Sequence, residues 1–384
     1  MAATSPVGPL AALMRAAAAL PVLAVPVQSA AAEAGEVGFS LLGYRERGPG
    51  MKVSEPLLWI VVPFAQAWQL RASALVDIVT GASPQFVTNA SGKPVQSFTG
   101  ASVSDRRKAG EVRLQRRWED VTLAVSRTVS KEEDYRSRAY GVEARVDLAN
   151  RHTTLLAGYG RSNDRIGSTD DPSLDQARDT REYLLGLSQV ISPVAFVQTQ
   201  LQWNRGRGWY DDPYRATITF RPGAGLPAFA PDHRPAARDS LAWLTRYRHH
   251  VVVASGTLQI DYRYFRDDWG IRSHTLEGAW SQDLGAGWTL RPALRWYSQS
   301  AARFYSPLVP QPAPPFQSSD QRLAAFGGLS PSLRLGWRDG IGLSIEATAG
   351  WYRNAAGLRM GAGGSPGFEP LRAAYGVLTV TREF

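Results

Sequence analysis

The chain has 384 residues, with 43 Lys plus Arg against 34 Asp plus Glu, a net charge of +9 and an isoelectric point near 9.9. It contains no cysteine, which excludes disulfides, thiolate metal sites, covalent c-type haem attachment and cysteine nucleophiles. Hydrophobic residues make up 44% and mean hydropathy is −0.24, so the chain is neither a disordered polymer nor a bundle of membrane helices, which needs several runs of ~20 apolar residues.

The first element is an apolar run from Ala16 to Val27, broken by Pro21 and Pro26 and followed by the small residues Ser29 to Ala32. That length fits a signal-peptide core rather than a spanning helix. Met14-Arg15 supplies the positive charge that Met1 to Leu13 lack, so Met14 reads as the true start. Cleavage after Ala32 would leave Glu33 first, and residues 1–32 are expected to be removed.

Beyond residue 35 apolar residues recur with period two. Trp68, Leu70, Ala72, Ala74, Val76 and Ile78 share one strand face, with Gln69, Arg71, Ser73 and Asp77 on the other; Tyr140 to Leu148, Leu258 to Tyr264 and Trp288 to Trp296 alternate likewise. The pattern predicts strands at 36–46, 53–63, 67–79, 105–118, 121–130, 137–148, 153–164, 180–191, 194–205, 239–249, 256–266, 271–282, 288–299, 320–337, 341–353 and 371–384. That is sixteen, with fourteen or eighteen as alternatives. Short connections alternate with longer ones, the longest at 80–104, 165–179, 206–238, 300–319 and 354–370. An all-β, antiparallel up-and-down barrel of the outer-membrane type shows this alternation. Closure follows because a strand in hydrocarbon must pair every backbone NH and C=O.

Tryptophans gather at strand ends: Trp68, Trp118, Trp280, Trp288 and Trp337 by the short turns, Trp203, Trp269, Trp296 and Trp351 toward the long loops. Two such girdles mark headgroup levels. The last strand ends in Phe384, which resembles the signal read by the outer-membrane barrel-assembly machinery, although Arg382 departs from it.

The segments Tyr262 to Gly270 and Ile271 to Glu277, with the blocks Val76 to Pro84 and Tyr297 to Ala302, resemble an uncharacterised bacterial family, domain of unknown function 3570. The resemblance spans about 38–384. It implies an outer-membrane barrel, names no reaction, and points to an envelope redox protein, of the thioredoxin-like or flavin-transferase kind, as a partner in an alternative reading.

Catalytic patterns are sparse. Gly363-Gly364-Ser365-Pro366-Gly367 fits G-x-S-x-G, but Pro366 has no NH for an oxyanion hole, so the segment reads as a loop. Of five histidines, His152, His249 and His250 fall at short turns; His233 lies in a long loop and His274 near the outer end of its strand. His274 with Asp267, Asp268 and Glu277 is the best enzyme constellation, against a wall histidine bonded to the next strand. Asp164, Asp170, Asp171, Asp175, Asp179 and Glu182 lack calcium-loop spacing and read as a solvated loop that bridges lipopolysaccharide through divalent ions. No metal site and no cofactor are expected.

Arginines are spread along strands rather than clustered, which argues against nucleic acid. On the polar faces lie Arg71, Arg113, Arg117, Arg145, Arg246, Arg248, Arg263, Arg291, Arg295, Arg322 and Arg334, opposed by Asp77, Glu111, Glu143, Asp147, Asp261, Glu277 and Glu346. Such an interior attracts anions, or else forms a salt-bridge ladder holding a filled lumen. The expected function is a passive outer-membrane channel for small, mainly anionic solutes, narrowed by loops 80–104 and 206–238 folding inward. Its partners are then outer-membrane lipid and the assembly machinery. The alternative is a non-conducting scaffold for the redox partner, and a surface enzyme using His274 comes third.

Overall fold

A strand with one apolar and one polar face needs apolar surroundings on one side only, and closing such strands into a ring decides which side. The structure, a computed structural model, describes residues 34–48, 50–81, 84–90, 93–98, 103–220, 228–361 and 363–384. The expected signal peptide lies outside them. One closed antiparallel barrel contains β1 (Glu36–Glu46), β2 (Lys52–Phe64), β3 (Trp68–Gly81), β6 (Val103–Trp118), β7 (Val121–Lys131), β8 (Tyr135–Leu148), β9 (Thr153–Ile166) and β10 (Gln176–Ser192). It continues through β11 (Ala195–Gly208), β14 (Ala237–Val251), β15 (Gly256–Asp267), β16 (Arg272–Gly285), β17 (Trp288–Gln299), β19 (Phe326–Arg338), β20 (Leu343–Ala355) and β21 (Arg372–Glu383). The loops add β4 (Pro84–Ala90) paired with β5 (Lys93–Phe98), and a small sheet of β12 (Ala216–Phe220), β13 (Ala228–Pro231) and β18 (Val309–Pro310).

Sixteen strands therefore form the wall, as the periodicity predicts. The seam is β1 against β21, in register from Glu36↔Glu383 to Glu46↔Ala373. A twelve-residue strand such as β15, rising ~3.3 Å per residue and tilted ~40°, spans about 30 Å, the thickness of a hydrocarbon core.

The apolar faces point outward. Leu185 is 61% exposed, Leu294 54%, Val142 53% and Trp351 60%. A belt of bare apolar side chains this continuous is stable only when lipid covers it. No described helix is long and apolar enough to cross a membrane.

Two boundaries differ from expectation. The wall strand predicted from residue 320 begins at Phe326, because Asp320 accepts from the Arg322 backbone N–H and starts a 3-10 turn at Gln321–Leu323. Arg322 consequently sits in a loop and not on the wall. The strand predicted from residue 180 begins at Gln176, since Asp179 is neutralised by Arg161 and pairing continues past it to Gln176↔Ile166.

Candidate functional site: the lumen and its loop cap

Because side chains alternate, residues sharing parity with an outward leucine face lipid and their neighbours face the lumen. By this criterion Arg71, Arg113, Arg117, Arg145, Arg263, Arg291, Arg295 and Arg334 point inward, as do Asp77, Glu143, Asp261 and Glu277. The inward carboxylates are nearly all engaged. Glu143 pairs with Arg113 at 2.7 Å, Glu277 with Arg291 at 3.1 Å and Glu346 with Arg334 at 3.3 Å. Asp261 is held by Arg248 and, at 3.8 Å, by Arg246, while Asp77 meets Arg107 at 3.6 Å. Asp147 and Glu111 accept from Thr154 and Thr128.

Arg71, Arg117, Arg145, Arg263 and Arg295 have no salt-bridge partner among the described residues. Along β14–β20 the imbalance is concentrated: Arg246, Arg248, Arg263, Arg291, Arg295 and Arg334 face Asp261, Glu277 and Glu346. A cavity of about 280 Å³ lies against this wall, lined by Arg291, Arg295, Arg334, Tyr297, Tyr352 and Tyr375 among others. The Arg334 and Glu346 side chains keep 42% and 46% exposure, so water reaches the interior.

Above this stretch the loops assemble a cap. Residues 209–220, 228–236 and 300–325 are stitched by the β13-β12-β18 sheet and by bridges His233↔Gln317 and Tyr305↔Ser318. At its centre three arginines and three aspartates meet, Arg215, Asp232 and Asp320 buried and Arg234, Asp212 and Arg322 partly so. Arg215 reaches Asp212 at 3.1 Å and Asp320 at 3.6 Å; Arg234 reaches Asp232 at 2.6 Å and Asp320 at 3.1 Å; Arg322 reaches Asp212 at 2.9 Å and also Asp320. Burial alone would raise the Asp320 carboxyl, but Arg215, Arg322 and Arg234 more than reverse it and hold it well below the usual carboxylate range. Burial likewise opposes ionisation of Asp212, yet Arg215, Arg322 and Arg234 lower it. Asp232, for which burial outweighs Arg234, is raised.

The cap is anchored on inward wall residues. Arg178 lies over the Tyr210 ring at 5.0 Å, Arg238 over Trp269 at 4.4 Å, and the Gln299 amide donates to the Arg322 and Ala324 carbonyls at 3.0 and 2.6 Å. Loop 206–238 thus packs onto inward wall residues, with 300–325 as its partner. The β4–β5 hairpin of the other candidate loop has its backbone beside β12.

Trp68, Trp118, Trp203, Trp280, Trp288, Trp296, Trp337 and Trp351 all carry outward parity. Arg116 stands between Trp68 and Trp118, 5.1 and 4.7 Å from their ring centroids, and the Trp296 indole donates to the Leu358 carbonyl. Trp269 is a correction: at 3% exposure it packs with Ile271, Ala302 and Leu323 inside the cap, because Gly270 turns the chain inward there. Sequence reasoning missed Trp243, an outward residue on β14, since it lies too far from a strand end to be counted. Phe384 is 66% exposed, its N–H bonded to the Gly35 carbonyl.

The His274 constellation is taken apart by parity. His274 faces outward, its Nδ1 2.8 Å from the Tyr262 hydroxyl and its ring beside Tyr264; Glu277 faces the lumen, and Asp267 is bound to Arg238 at 2.7 Å. Ser365 is a strap, its Oγ accepting from the Ala325 N–H at 2.8 Å. His233 pairs with Asp211 at 3.0 Å on the cap surface. Asp164 is locked to Arg178 at 2.8 Å, and Asp171 closes a local turn on Ser173.

Solved structures match the fold at 8–10% identity. A bacterial polysaccharide outer membrane secretin matches over 92% of this chain and 99% of its own, with 9% identity and a TM-score of 0.50. CdiB from Acinetobacter baumannii matches over 90% of this chain and 60% of its own, with 9% identity and a TM-score of 0.52. OccD3 of Pseudomonas aeruginosa matches at 9% identity over 95% and 96%, with a TM-score of 0.46. No curated protein matches at the level of sequence. The barrel is that of bacterial outer-membrane proteins, with short turns toward the periplasm and loops outward. Family comparison agrees with the resemblance in the sequence blocks: a family model matches residues 10–176 and 167–368, and the chain belongs to that family, the proteins of unknown function DUF3570.

Proposed function

We propose that the protein is a passive channel for small, mainly anionic solutes. The observation that supports this reading is the arrangement of lumen charge: most inward carboxylates are paired with arginine, Asp147 and Glu111 being bonded to threonine, while Arg295 on the cavity wall, with Arg71, Arg117, Arg145 and Arg263 elsewhere on the inward face, is left for a mobile anion. The test is reversal potential across a salt gradient for the refolded chain in a planar bilayer. Anion bias is expected, and Arg263→Ser with Arg295→Ser should cut the anion-to-cation permeability ratio severalfold without changing unit stability. Cation bias, or a ratio unmoved by the double substitution, refutes the reading.

One observation favours the alternative of a non-conducting scaffold: the cap's buried charge cluster fastens two loops together over the lumen mouth. A folded barrel that gives no conductance steps, with the cap intact or loosened, would establish it.

A further inference from the structure

Above the outer aromatic girdle, on the face turned to lipid, neighbouring strands set like charges side by side. Reading the register across four strands, Lys108 pairs with Lys131, Lys131 with Arg136, and Arg136 with Arg165. Adjacent strands lie ~4.8 Å apart, and like charges directly opposite are destabilising, so this row is unfavourable as it stands. Arg165 alone has a carboxylate, Asp175 at 3.1 Å. Lys108, Lys131, Arg136 and Arg138 have none among the described residues.

The position is specific. Tyr159, Tyr183 and Trp203 lie side by side on adjacent strands, with centroids 5.4 and 5.2 Å apart, and mark the upper edge of the hydrocarbon. One step up come Arg127, Arg161, Arg181 and Arg205; the next holds Arg138; the next is the cationic row, about 20 Å along the strands from the girdle. Two adjoining concavities open there. One of about 610 Å³ is lined by Lys108, Arg127, Lys131, Arg136 and Arg138, and the other, about 620 Å³, by Arg136, Arg138, Arg165, Arg178 and Arg207 together with the carboxylates of Asp164 and Asp179. Toward β11 the cations are balanced by Asp179 and Asp239, at 2.6 Å from Arg161 and 3.7 Å from Arg205. Toward β6 they are not.

The geometry points to a binding site for the phosphate groups of an outer-leaflet glycolipid on the outer face of β6–β9. Acyl chains would lie against the apolar belt while phosphates bridge the row, replacing repulsion between strands with charge-assisted hydrogen bonds. This assigns the partner at the surface and is independent of whether the lumen conducts.

The test uses the full refolded chain in nanodiscs, with bisphosphorylated lipid A and its dephosphorylated form as probes and native mass spectrometry as readout. Wild-type protein should retain the bisphosphorylated lipid on the order of a hundredfold more tightly than the dephosphorylated one. Joint K108Q, K131Q, R136Q and R138Q substitution should abolish that difference, whereas R45Q with R353Q, elsewhere on the rim, should preserve it. Equal retention of the two lipids by wild type overturns the proposal even if the fourfold variant fails to fold. Displacement by inorganic phosphate alone would make the ligand a free anion and also overturn it.

Discussion

Asp320→Ala tests the cap directly. Asp320 is 1% exposed and lies within reach of Arg215, Arg234 and Arg322. Its removal leaves Asp212 shared by Arg215 and Arg322, and Asp232 with Arg234, so three cations, Arg215 buried and the others partly so, face two carboxylates. An uncompensated buried charge of this kind costs about 3–5 kcal/mol. Since 1.4 kcal/mol is tenfold, the undocked population should rise roughly a hundred- to several-thousand-fold. Hydrogen exchange at the backbone amides of Thr217, Thr219 and Ser318, all buried in the cap, should lose protection by that factor while the amides of β15 keep theirs. Tryptic cleavage within 209–236 should accelerate in parallel. Unchanged protection at Thr217 and Thr219 would show that the loops are held by something other than the charge cluster.

Acid should act on the same contacts with a defined sign. A carboxyl lowered in the native state stabilises above its unfolded value, and that stabilisation is lost as pH falls through the native one; Asp320 and Asp212 are both lowered, so the cap should stay docked at pH 4 and open in stronger acid, as read by pepsin cleavage. Asp232, raised by burial, works the other way and should blunt the onset of that loss. At the turn between β16 and β17, Gly287 has φ +80° and a Cβ there would drive into the Arg338 carbonyl oxygen, so Gly287→Ala should destabilise the barrel by roughly 1–3 kcal/mol in urea titration. His274→Ala removes the contacts to the Tyr262 hydroxyl and the Tyr264 ring on the lipid face and should leave conductance unchanged in the planar bilayer; a lost or altered current would return His274 to the functional site.

What the sequence discloses follows from periodicity. Strand number and lumen parity rest on alternation, which is local, and Arg263, Asp261 and Glu277 were legible as polar-face residues from their immediate neighbours alone. The cap was not legible because its determinants are far apart in the chain: Arg234 meets Asp320 across 86 positions and Arg322 meets Asp212 across 110. Trp269 misled for the same reason, since an aromatic after a strand looks alike whether it meets lipid or a distant loop. Nor could alternation show that Lys108, Lys131 and Arg136 adjoin, because adjacency across strands needs the register.

The described periplasmic turns are two to four residues long, from Glu119-Asp120 to the four residues 149–152. A stable protein interface takes about 800 Å² from each side, some 20–30 residues. No single described turn offers a docking protein a surface of that size. A redox protein held from below would have to straddle several turns at once or push a segment up into the lumen, where Glu36 and Trp59, joined by the indole N–H, stand on the wall. At the outward end, by contrast, two loops distant in the chain are gathered into one continuous surface.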